Sequence, residues 1–248
     1  LLGALWVSTL IILVNSFLAC ALPSSFRKQN RPFSCHYLYL MLALLFFGGN
    51  LLAGGLRLSR PPEYDEKPVS TALIQGGLSS TRKWDAEYLE FCRRQYESLT
   101  LEAASHRPAL IIWPETAVPV QWTANSDLDL MLRQIANTSQ SQLLAGIFYD
   151  NYNSIILIKP DQRIMQLYHK QRLAPFGEFL PFKEYLQPFL SWLEGGKAQY
   201  FTLQAGSTMP LLQTVAGPTG SLICFEAMFF DLARNQVLAG AESLVVST

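Results

Sequence analysis

A glutamate, a lysine and a cysteine each stand at the end of a strand-like apolar run, where functional groups are usually placed on α/β sheets. Glu115 follows LIIWP, Lys170 follows IMQLYH and Cys224 follows GSLI. They are separated by 55 and 54 residues, so only the tertiary fold can bring them together. A thiolate can attack an ester carbonyl, a carboxylate can accept the thiol proton, and an ammonium can stabilise the oxyanion. The three residue types therefore suit covalent acyl transfer.

Each of these residues has a plainer explanation when it is taken singly. A glutamate after Trp-Pro is usually a helix-start or surface carboxylate, and an apolar-flanked cysteine is usually inert core. A lysine in a turn is usually solvated. His169 offers another alternative, a Cys224–His169 dyad. It adjoins Lys170, and neighbouring side chains of a strand point to opposite faces, so only one of the two can face the cysteine.

The elements that must position these residues belong to two parts of different composition. Half of the 248 residues are apolar and 15% are charged, with zero net charge. This composition excludes intrinsic disorder and argues against a nucleic-acid-binding protein, which would carry a basic excess. Residues 1–60 contain five basic residues and no acid, so residues 61–248 carry a net charge of minus five. The first part is typical of a membrane segment and the second of a globular domain.

Two uncharged apolar stretches, Leu1–Leu22 and Tyr37–Leu56, predict two transmembrane helices. A helix of 22 residues reaches about 33 Å, enough to cross a hydrocarbon core of about 30 Å. The loop 23–36 between them carries Arg27, Lys28 and Arg31 without an acid, so the positive-inside rule predicts that it is cytoplasmic. Everything after the second span is then expected outside the cytoplasm.

Residues 61–69 form a polar, proline-rich linker, and residues 70–248 read as a mixed α/β domain without an internal repeat. Strand-like and helix-like segments alternate along this domain. The runs 154–159 and 163–168 flank the turn Pro160-Asp161-Gln162 and predict a β-hairpin.

Four ordered motifs in residues 70–248 resemble the nitrilase, or carbon-nitrogen hydrolase, superfamily, and among its members the bacterial apolipoprotein N-acyltransferases. That superfamily uses a Glu-Lys-Cys triad in this order. The motifs are Gln75-Gly76 with Lys83-Trp84-Asp85, WPETA at 113–117, YHK at 168–170 with LAPFGEFLP at 173–181, and ICFE at 223–226. A lone WPE is weak evidence, whereas the ordered set behind a membrane segment is specific.

The resemblance implies a nitrilase-like α-β-β-α sandwich and a role for each site residue. Glu115 would be the general base, Lys170 would stabilise the thiolate and the oxyanion, and Cys224 would be the nucleophile. The motif also favours Lys170 over His169 as the partner of the cysteine. By the same resemblance Glu178 and Glu226 would support the site, and Trp84 and Phe225 would help to shape it.

The resemblance also implies an activity and its partners. An acyl chain would pass from a phospholipid, typically phosphatidylethanolamine, to Cys224 as a thioester. It would then pass to the N-terminal α-amino group of a diacylglyceryl-cysteine, which matures a lipoprotein. The enzyme would be a multi-pass protein of the bacterial inner membrane with its catalytic domain on the periplasmic side.

No metal or organic cofactor is implied, since no phosphate loop is present and His36, His106 and His169 lack metal-ligand spacing. The alternative activity is a membrane-anchored nitrilase-type amidase or hydrolase, which would transfer the acyl group to water.

The chain departs from the family at its ends and at one position of the nucleophile motif. Family members have further spans before Leu1 and continue beyond Thr248 into a loop that borders the site, and Phe225 stands where relatives also have tyrosine. We therefore expect the catalytic domain to be truncated and these 248 residues to be inactive alone.

Overall fold

The chain folds as two units, Leu1–Lys67 and Pro68–Thr248. The computed structural model describes residues 3–21, 33–59, 68–77, 86–161, 163–187 and 202–248. The first unit contains the helices α1 (Gly3–Ala21) and α2 (Phe33–Leu58). The second unit contains, in chain order, β1 (Thr71–Leu73), α3 (Ala86–Ala104), β2 (Leu110–Ile112), α4 (Asp127–Ser139), β3 (Gln142–Tyr149), β4 (Tyr152–Ile158), β5 (Ile164–His169), β6 (Leu212–Thr214), β7 (Gly217–Ile223), a 3₁₀ helix (Cys224–Met228), α5 (Phe230–Leu238) and β8 (Ser243–Ser247).

In the first unit α1 packs against α2 through one hydrogen bond and a group of aromatic rings. The indole N–H of Trp6 donates to Oδ1 of Asn50 at 2.9 Å, so the polar groups of both side chains are paired. The ring of Phe17 lies 6.5 Å from that of Tyr39 and 5.9 Å from that of Phe46. Most of the large apolar side chains that remain on the two helices are exposed.

Within the described residues, one helical segment is long and apolar enough to cross a membrane, Tyr37–Leu58 with 22 residues. Among the described residues of α1, the apolar segment Trp6–Ala21 is shorter. The prediction of two membrane spans is therefore not confirmed for the first of them. Helix α2 also begins at Phe33, inside the predicted loop, because no proline or glycine interrupts the segment from there to Tyr37.

The second unit is built on a five-stranded sheet in the order β1-β2-β3-β4-β5. Strands β1, β2 and β3 are parallel, and β3, β4 and β5 are antiparallel. The predicted hairpin of β4 and β5 is confirmed. Asp150 and Asn151, both with positive φ, connect β3 to β4 as a two-residue turn. Such turns suit the strand twist and fix the register, which pairs Tyr149 with Tyr152.

Alternate side chains of this sheet supply two separate cores, as the two-residue period of a strand requires. On one face Leu143, Ala145 and Ile147 of β3 pack with Leu132 and Ile135 of α4, and α3 adds Tyr96 to the same cluster. On the other face Leu144 of β3 and Ile155 and Leu157 of β4 pack with Leu212 and Ile223 of the second sheet. The two sheets therefore lie face to face.

The second sheet has the strand order β6-β7-β8, with β6 antiparallel and β8 parallel to β7. Helix α5 covers β7, where the Gln236 amide donates to the carbonyl of Ser221 at 2.8 Å. Gly220 lies beneath it, since a Cβ at this position would collide with Gln236 and Leu244. Helices, sheet, sheet and helix follow one another, so the predicted α-β-β-α sandwich is the observed fold.

Some predicted features fall outside the described residues. They are Leu1, Leu2 and Leu22 of the first apolar stretch, the three basic residues of the loop 23–36, the linker residues 61–67, and the motif residues 83–85 with Trp84.

Candidate active site

Glu115 follows β2 on a segment that the core holds in place. Trp113 is buried, donates its indole N–H to the Thr100 hydroxyl at 2.9 Å and packs on Tyr96. The segment then crosses β3 so closely that a Cβ on Gly146 would lie 2.8 Å from the Cα of Glu115. Only a glycine allows this approach, because the strand backbone and the loop backbone leave no room for a side chain. The carboxylate of Glu115 remains one-fifth exposed.

Lys170 follows β5 directly, and its side chain is 1% exposed. Its backbone N–H donates to the carbonyl of Asn153, and its own carbonyl accepts from Gly206, both at 2.8 Å. The Nζ atom lies 2.9 Å from Oε1 of Glu178 and 3.3 Å from Oε1 of Glu115. The plainer alternative of a solvated turn lysine is therefore excluded, because the ammonium is buried and two carboxylates compensate it.

The pKa of Lys170 is set by opposing causes. Burial disfavours the ammonium, but the hydrogen bond to Glu178 and the charges of Glu115 and Glu178 outweigh it and raise the pKa above its ordinary value. Lys170 is therefore a cation at neutral pH. An ammonium has three N–H donors, so it can serve two carboxylates and direct the third donor at another oxygen.

Cys224 is the first residue of the 3₁₀ helix after β7 and has a φ of +48°. A non-glycine residue in this region is strained, and such strain often lifts a reactive side chain out of the sheet. Cys224 is exposed, unlike the buried Cys92, so it is not an inert core cysteine. Its thiol lies close enough to Glu115, Lys170 and the backbone N–H of Phe225 for each of these groups to act on its pKa.

The pKa of Cys224 is raised by partial burial of the thiol and then by the negative charge of Glu115, and Lys170 only partly opposes them. Lys170 favours the thiolate, as expected, but burial and Glu115 outweigh it, so the thiol is protonated at neutral pH beside the carboxylate of Glu115. Proton transfer to Glu115 would then accompany attack on the carbonyl.

The two supporting glutamates have different places in the site. Glu178 is in contact with Lys170, and its other oxygen accepts the backbone N–H of Ala174 at 2.8 Å. Glu226 is fully buried behind Cys224 and accepts four hydrogen bonds. Its donors are the Tyr168 hydroxyl and the backbone N–H groups of Gln171, Arg172 and Ile223, at 2.9, 2.7, 3.1 and 2.8 Å. Glu226 thereby ties the cysteine turn to the segment after Lys170.

His169 points away from the cysteine. Its ring stacks on Tyr149 and Tyr152, and its Nδ1 atom lies 2.7 Å from the hydroxyl of Ser154. Burial lowers its pKa, so it is neutral at pH 7. Phe225 packs edge to face on Phe229 next to the site, 5.1 Å between ring centres. Of the predicted site residues, Trp84 lies outside the described part of the chain.

Two residues of the site escaped the sequence analysis as functional positions, Asn153 and Tyr168. The Asn153 amide donates to Oε1 of Glu115 at 2.6 Å and to Oε1 of Glu178 at 2.8 Å. A polar residue at the start of the apolar run SIILI was the available signal, because a buried amide requires partners. Tyr168 is buried beneath Glu226, and burial raises the pKa of its hydroxyl.

The chain is similar to bacterial proteins named apolipoprotein N-acyltransferase. The one from Geobacter metallireducens is 29% identical over 98% of this chain and 47% of its own length. Those from Gloeobacter violaceus and Allorhizobium ampelinum are 31% and 32% identical, over 85% and 83% of this chain and 40% and 41% of theirs. The chain thus spans less than half the length of these curated relatives.

Solved structures share the fold of the second unit. An amidase variant from Nesterenkonia sp. AN1 gives a TM-score of 0.53 at 15% identity, over 73% of this chain and 67% of that chain. Nit3 of Saccharomyces cerevisiae, from the nitrilase superfamily, gives 0.51 at 18% identity, over 72% and 63%. Residues 71–248 match the family described as carbon-nitrogen hydrolase. The chain therefore belongs to the carbon-nitrogen hydrolase, or nitrilase, family, in which it resembles the apolipoprotein N-acyltransferases.

Proposed function

We propose that this protein is an apolipoprotein N-acyltransferase in which Glu115, Lys170 and Cys224 are the catalytic residues. One observation carries the proposal: the carboxylate of Glu115 accepts from the buried ammonium of Lys170 at 3.3 Å, and both charged groups act on the exposed thiol of Cys224. A nucleophile, a base and an oxyanion donor thus meet at one point. The name of the relatives that match along the chain favours acyl transfer to an amine over hydrolysis.

The first half-reaction loads the enzyme. Glu115 takes the thiol proton while the sulfur of Cys224 attacks the ester carbonyl of a phospholipid, and the third N–H of Lys170 stabilises the oxyanion. The intermediate collapses with cleavage of the ester C–O bond. Glu115 returns its proton to the leaving alkoxide, which releases a lysophospholipid and leaves an acyl thioester on Cys224.

The second half-reaction transfers the acyl chain. The α-amine of a diacylglyceryl-cysteine attacks the thioester, Glu115 accepts a proton from the amine, and the C–S bond breaks. The same proton then restores the Cys224 thiol, so atoms and charge balance over the cycle. The amine attacks in its neutral form and becomes positively charged as the C–N bond forms. A carboxylate such as Glu115 can accept the proton that it then loses.

Exposed apolar side chains near the site support a lipid substrate. Phe176 is 71% exposed two residues before Glu178, and Met228 is 76% exposed two residues after Glu226. Phe230, at the start of α5, is also exposed. Apolar side chains of this size on a surface next to a nucleophile suit an acyl chain or a membrane surface better than water.

The test is to trap the thioester in the native full chain with labelled phosphatidylethanolamine. We expect label on Cys224 that hydroxylamine removes, no such label in Cys224→Ser, and strongly reduced label in Glu115→Gln. Cys92→Ala, which changes a buried cysteine of α3, is the matched control and should retain the label. A hydroxylamine-labile label that persists in Cys224→Ser would contradict the assignment.

Addition of a diacylglyceryl lipopeptide separates the two activities that this site could perform. A transferase forms N-acylated lipopeptide, whereas an amidase or hydrolase releases labelled fatty acid or ammonia without an N-acylated product. The lipopeptide product supports the proposal, and release of fatty acid alone would replace it with the hydrolase.

We also propose that the protein is a multi-pass protein of the bacterial inner membrane with the catalytic domain in the periplasm. The exposed apolar surface of Tyr37–Leu58 and the basic residues of the loop 23–36 support this orientation. Asp161→Cys, in the exposed turn between β4 and β5, should react with a membrane-impermeant maleimide in intact spheroplasts. Reaction only after lysis would place the domain in the cytoplasm.

A further inference from the structure

Asn153 is the second residue of β4 and is 2% exposed. The turn at Asp150 and Asn151 fixes the register of the hairpin, which pairs Asn153 with Phe148 of β3. The carbonyl of Asn153 accepts the backbone N–H of Lys170 at 2.8 Å. The backbone of Asn153 is therefore held on both sides, by β3 and by the residue that follows β5.

The amide nitrogen of Asn153 bridges the two carboxylates that flank Lys170. Nδ2 lies 2.6 Å from Oε1 of Glu115 and 2.8 Å from Oε1 of Glu178. The same two oxygens accept from Nζ of Lys170. Chemistry fixes the orientation of the amide, because a rotated amide would direct its oxygen at two carboxylate oxygens.

The amide oxygen of Asn153 has no partner among the described residues, so the contribution of this side chain comes from its two N–H donors. Within the described part of the chain, Oδ1 is buried without a hydrogen-bond partner. A buried unpaired oxygen is unfavourable, and an apolar side chain of the same shape would avoid it. The two N–H groups offset this cost only if the carboxylates they serve must stay ionised and in place.

The charges around Glu115 explain why neutral donors are needed there. Lys170 after β5, Glu178 of the following segment and Cys224 after β7 are the titratable groups that face it. One ammonium serves two carboxylates, and two carboxylates that share a site tend to retain a proton. Two neutral N–H donors stabilise both ionised forms without a second positive charge.

We propose that Asn153 is a positioning residue that keeps Glu115 ionised and directed at the thiol of Cys224. This inference rests on the proposed function, since it assigns to Glu115 the role of the base. Without Asn153, we expect Glu115 and Glu178 to take up a shared proton at a higher pH than they do in the native protein. Glu178 retains its hydrogen bond from Ala174, so Glu115 accepts that proton and no longer acts as a base.

The test is the pH dependence of kcat/KM for acyl transfer by the native full chain in detergent. In Asn153→Leu, which keeps the approximate shape and removes both donors, we expect the acidic limb to move up by about one to two pH units. The loss of kcat/KM should shrink as the pH rises above the displaced limb. A residue with a purely structural role would lower kcat/KM by the same factor at every pH.

Two further variants keep the test decisive. Asn153→Asp has the same shape and adds a third carboxylate, so it should move the acidic limb upward even if the leucine variant does not fold. Ser154→Ala is the matched control, because it removes a buried hydrogen bond to His169 on the opposite face of the same strand. Its acidic limb should stay in place.

The outcomes separate this inference from the function beneath it. If the native protein forms a thioester on Cys224 but the limb is unmoved in Asn153→Leu and Asn153→Asp, the role of Asn153 is overturned and the transferase stands. If the native protein forms no thioester at all, the proposed function fails first, and the role of Asn153 falls with it.

Discussion

The hydroxyl of Tyr168 donates a hydrogen bond of 2.9 Å to Oε2 of Glu226, and this contact joins the end of β5 to the turn that carries Cys224. Three backbone N–H groups complete the coordination of the same carboxylate. A fully buried carboxylate is tolerated because all four donors satisfy it. The buried carboxylate of Glu226 thus holds together the segment around Lys170 and the turn that carries Cys224.

We therefore expect Tyr168→Phe to lower the free energy of unfolding by about 1–3 kcal/mol, since it removes one of four donors to a buried charge. Glu226→Gln should cost more, about 3–5 kcal/mol, because its amide NH₂ would face backbone N–H groups. Thermal unfolding of the native full chain in detergent measures both changes. Tyr152→Phe, whose ring packs on His169 instead, is the control. Equal effects of the two tyrosine variants would contradict the role of Glu226 as a tie.

The pKa of the Cys224 thiol predicts opposite effects of one substitution on two reactions. Glu115→Gln removes the negative charge that raises this pKa, so more thiolate is present at pH 7.5. Alkylation of Cys224 by iodoacetamide should become about 3- to 10-fold faster. Acyl transfer should fall by about 100-fold or more, because the base is lost.

Mass spectrometry of the peptide that contains Cys224 measures the alkylation rate, with the peptide of the buried Cys92 as an internal control. In the native chain the alkylation rate should continue to rise well above pH 8.5, the ordinary titration range of a thiol. If Glu115→Gln left alkylation unchanged or slowed it, the carboxylate would not be facing the thiol in solution.

Gly146 should be required for the position of Glu115. A Cβ at this position would collide with the carbonyl of Pro114 and lie 2.8 Å from both the Cα of Glu115 and the N of Thr116. Gly146→Ala should therefore displace the glutamate segment, cost about 1–3 kcal/mol of stability and reduce thioester formation.

Gly177→Ala is the matched control for Gly146→Ala, since a Cβ at position 177 would make only an ordinary contact of 3.9 Å with Ala174. Unfolding in detergent and the yield of the Cys224 thioester report the two effects of each variant. Retention of full thioester formation in Gly146→Ala would show that the segment can shift without loss of the base.

His169 should be dispensable for the chemistry. Its ring packs between Tyr149 and Tyr152, and Ser154 holds its Nδ1 atom, so it faces away from the cysteine. His169→Gln should keep the rate of thioester formation within about twofold, apart from a small loss of stability from the aromatic contacts. Burial lowers the pKa of His169. We therefore expect the rate of thioester formation in the native protein to show no change near pH 6.5, where a free histidine titrates. A 100-fold loss of thioester formation in His169→Gln would instead support the alternative of a Cys224–His169 dyad.

The local pattern of the chain determined its elements and its family. The runs that form β4 and β5 and the turn after Lys159 were readable because strand and turn preferences act over a few residues. The order of the WPE, YHK and ICFE motifs identified Glu115, Lys170 and Cys224 as candidates. The first of the two predicted membrane spans stays a prediction, since the described residues confirm only the second.

The tertiary structure alone decided which groups share a charge and which are buried. The motif identified Lys170 as a candidate, but only the pairing of β4 with β5 showed that it is buried between two carboxylates. Asn153 carried no motif, and its role depends on distances to residues 38 and 25 positions away. The raised pKa of Cys224 depends in the same way on Glu115. Electrostatic interactions depend on distance in space and on exclusion of water. Neither quantity can be obtained from the order of residues along the chain.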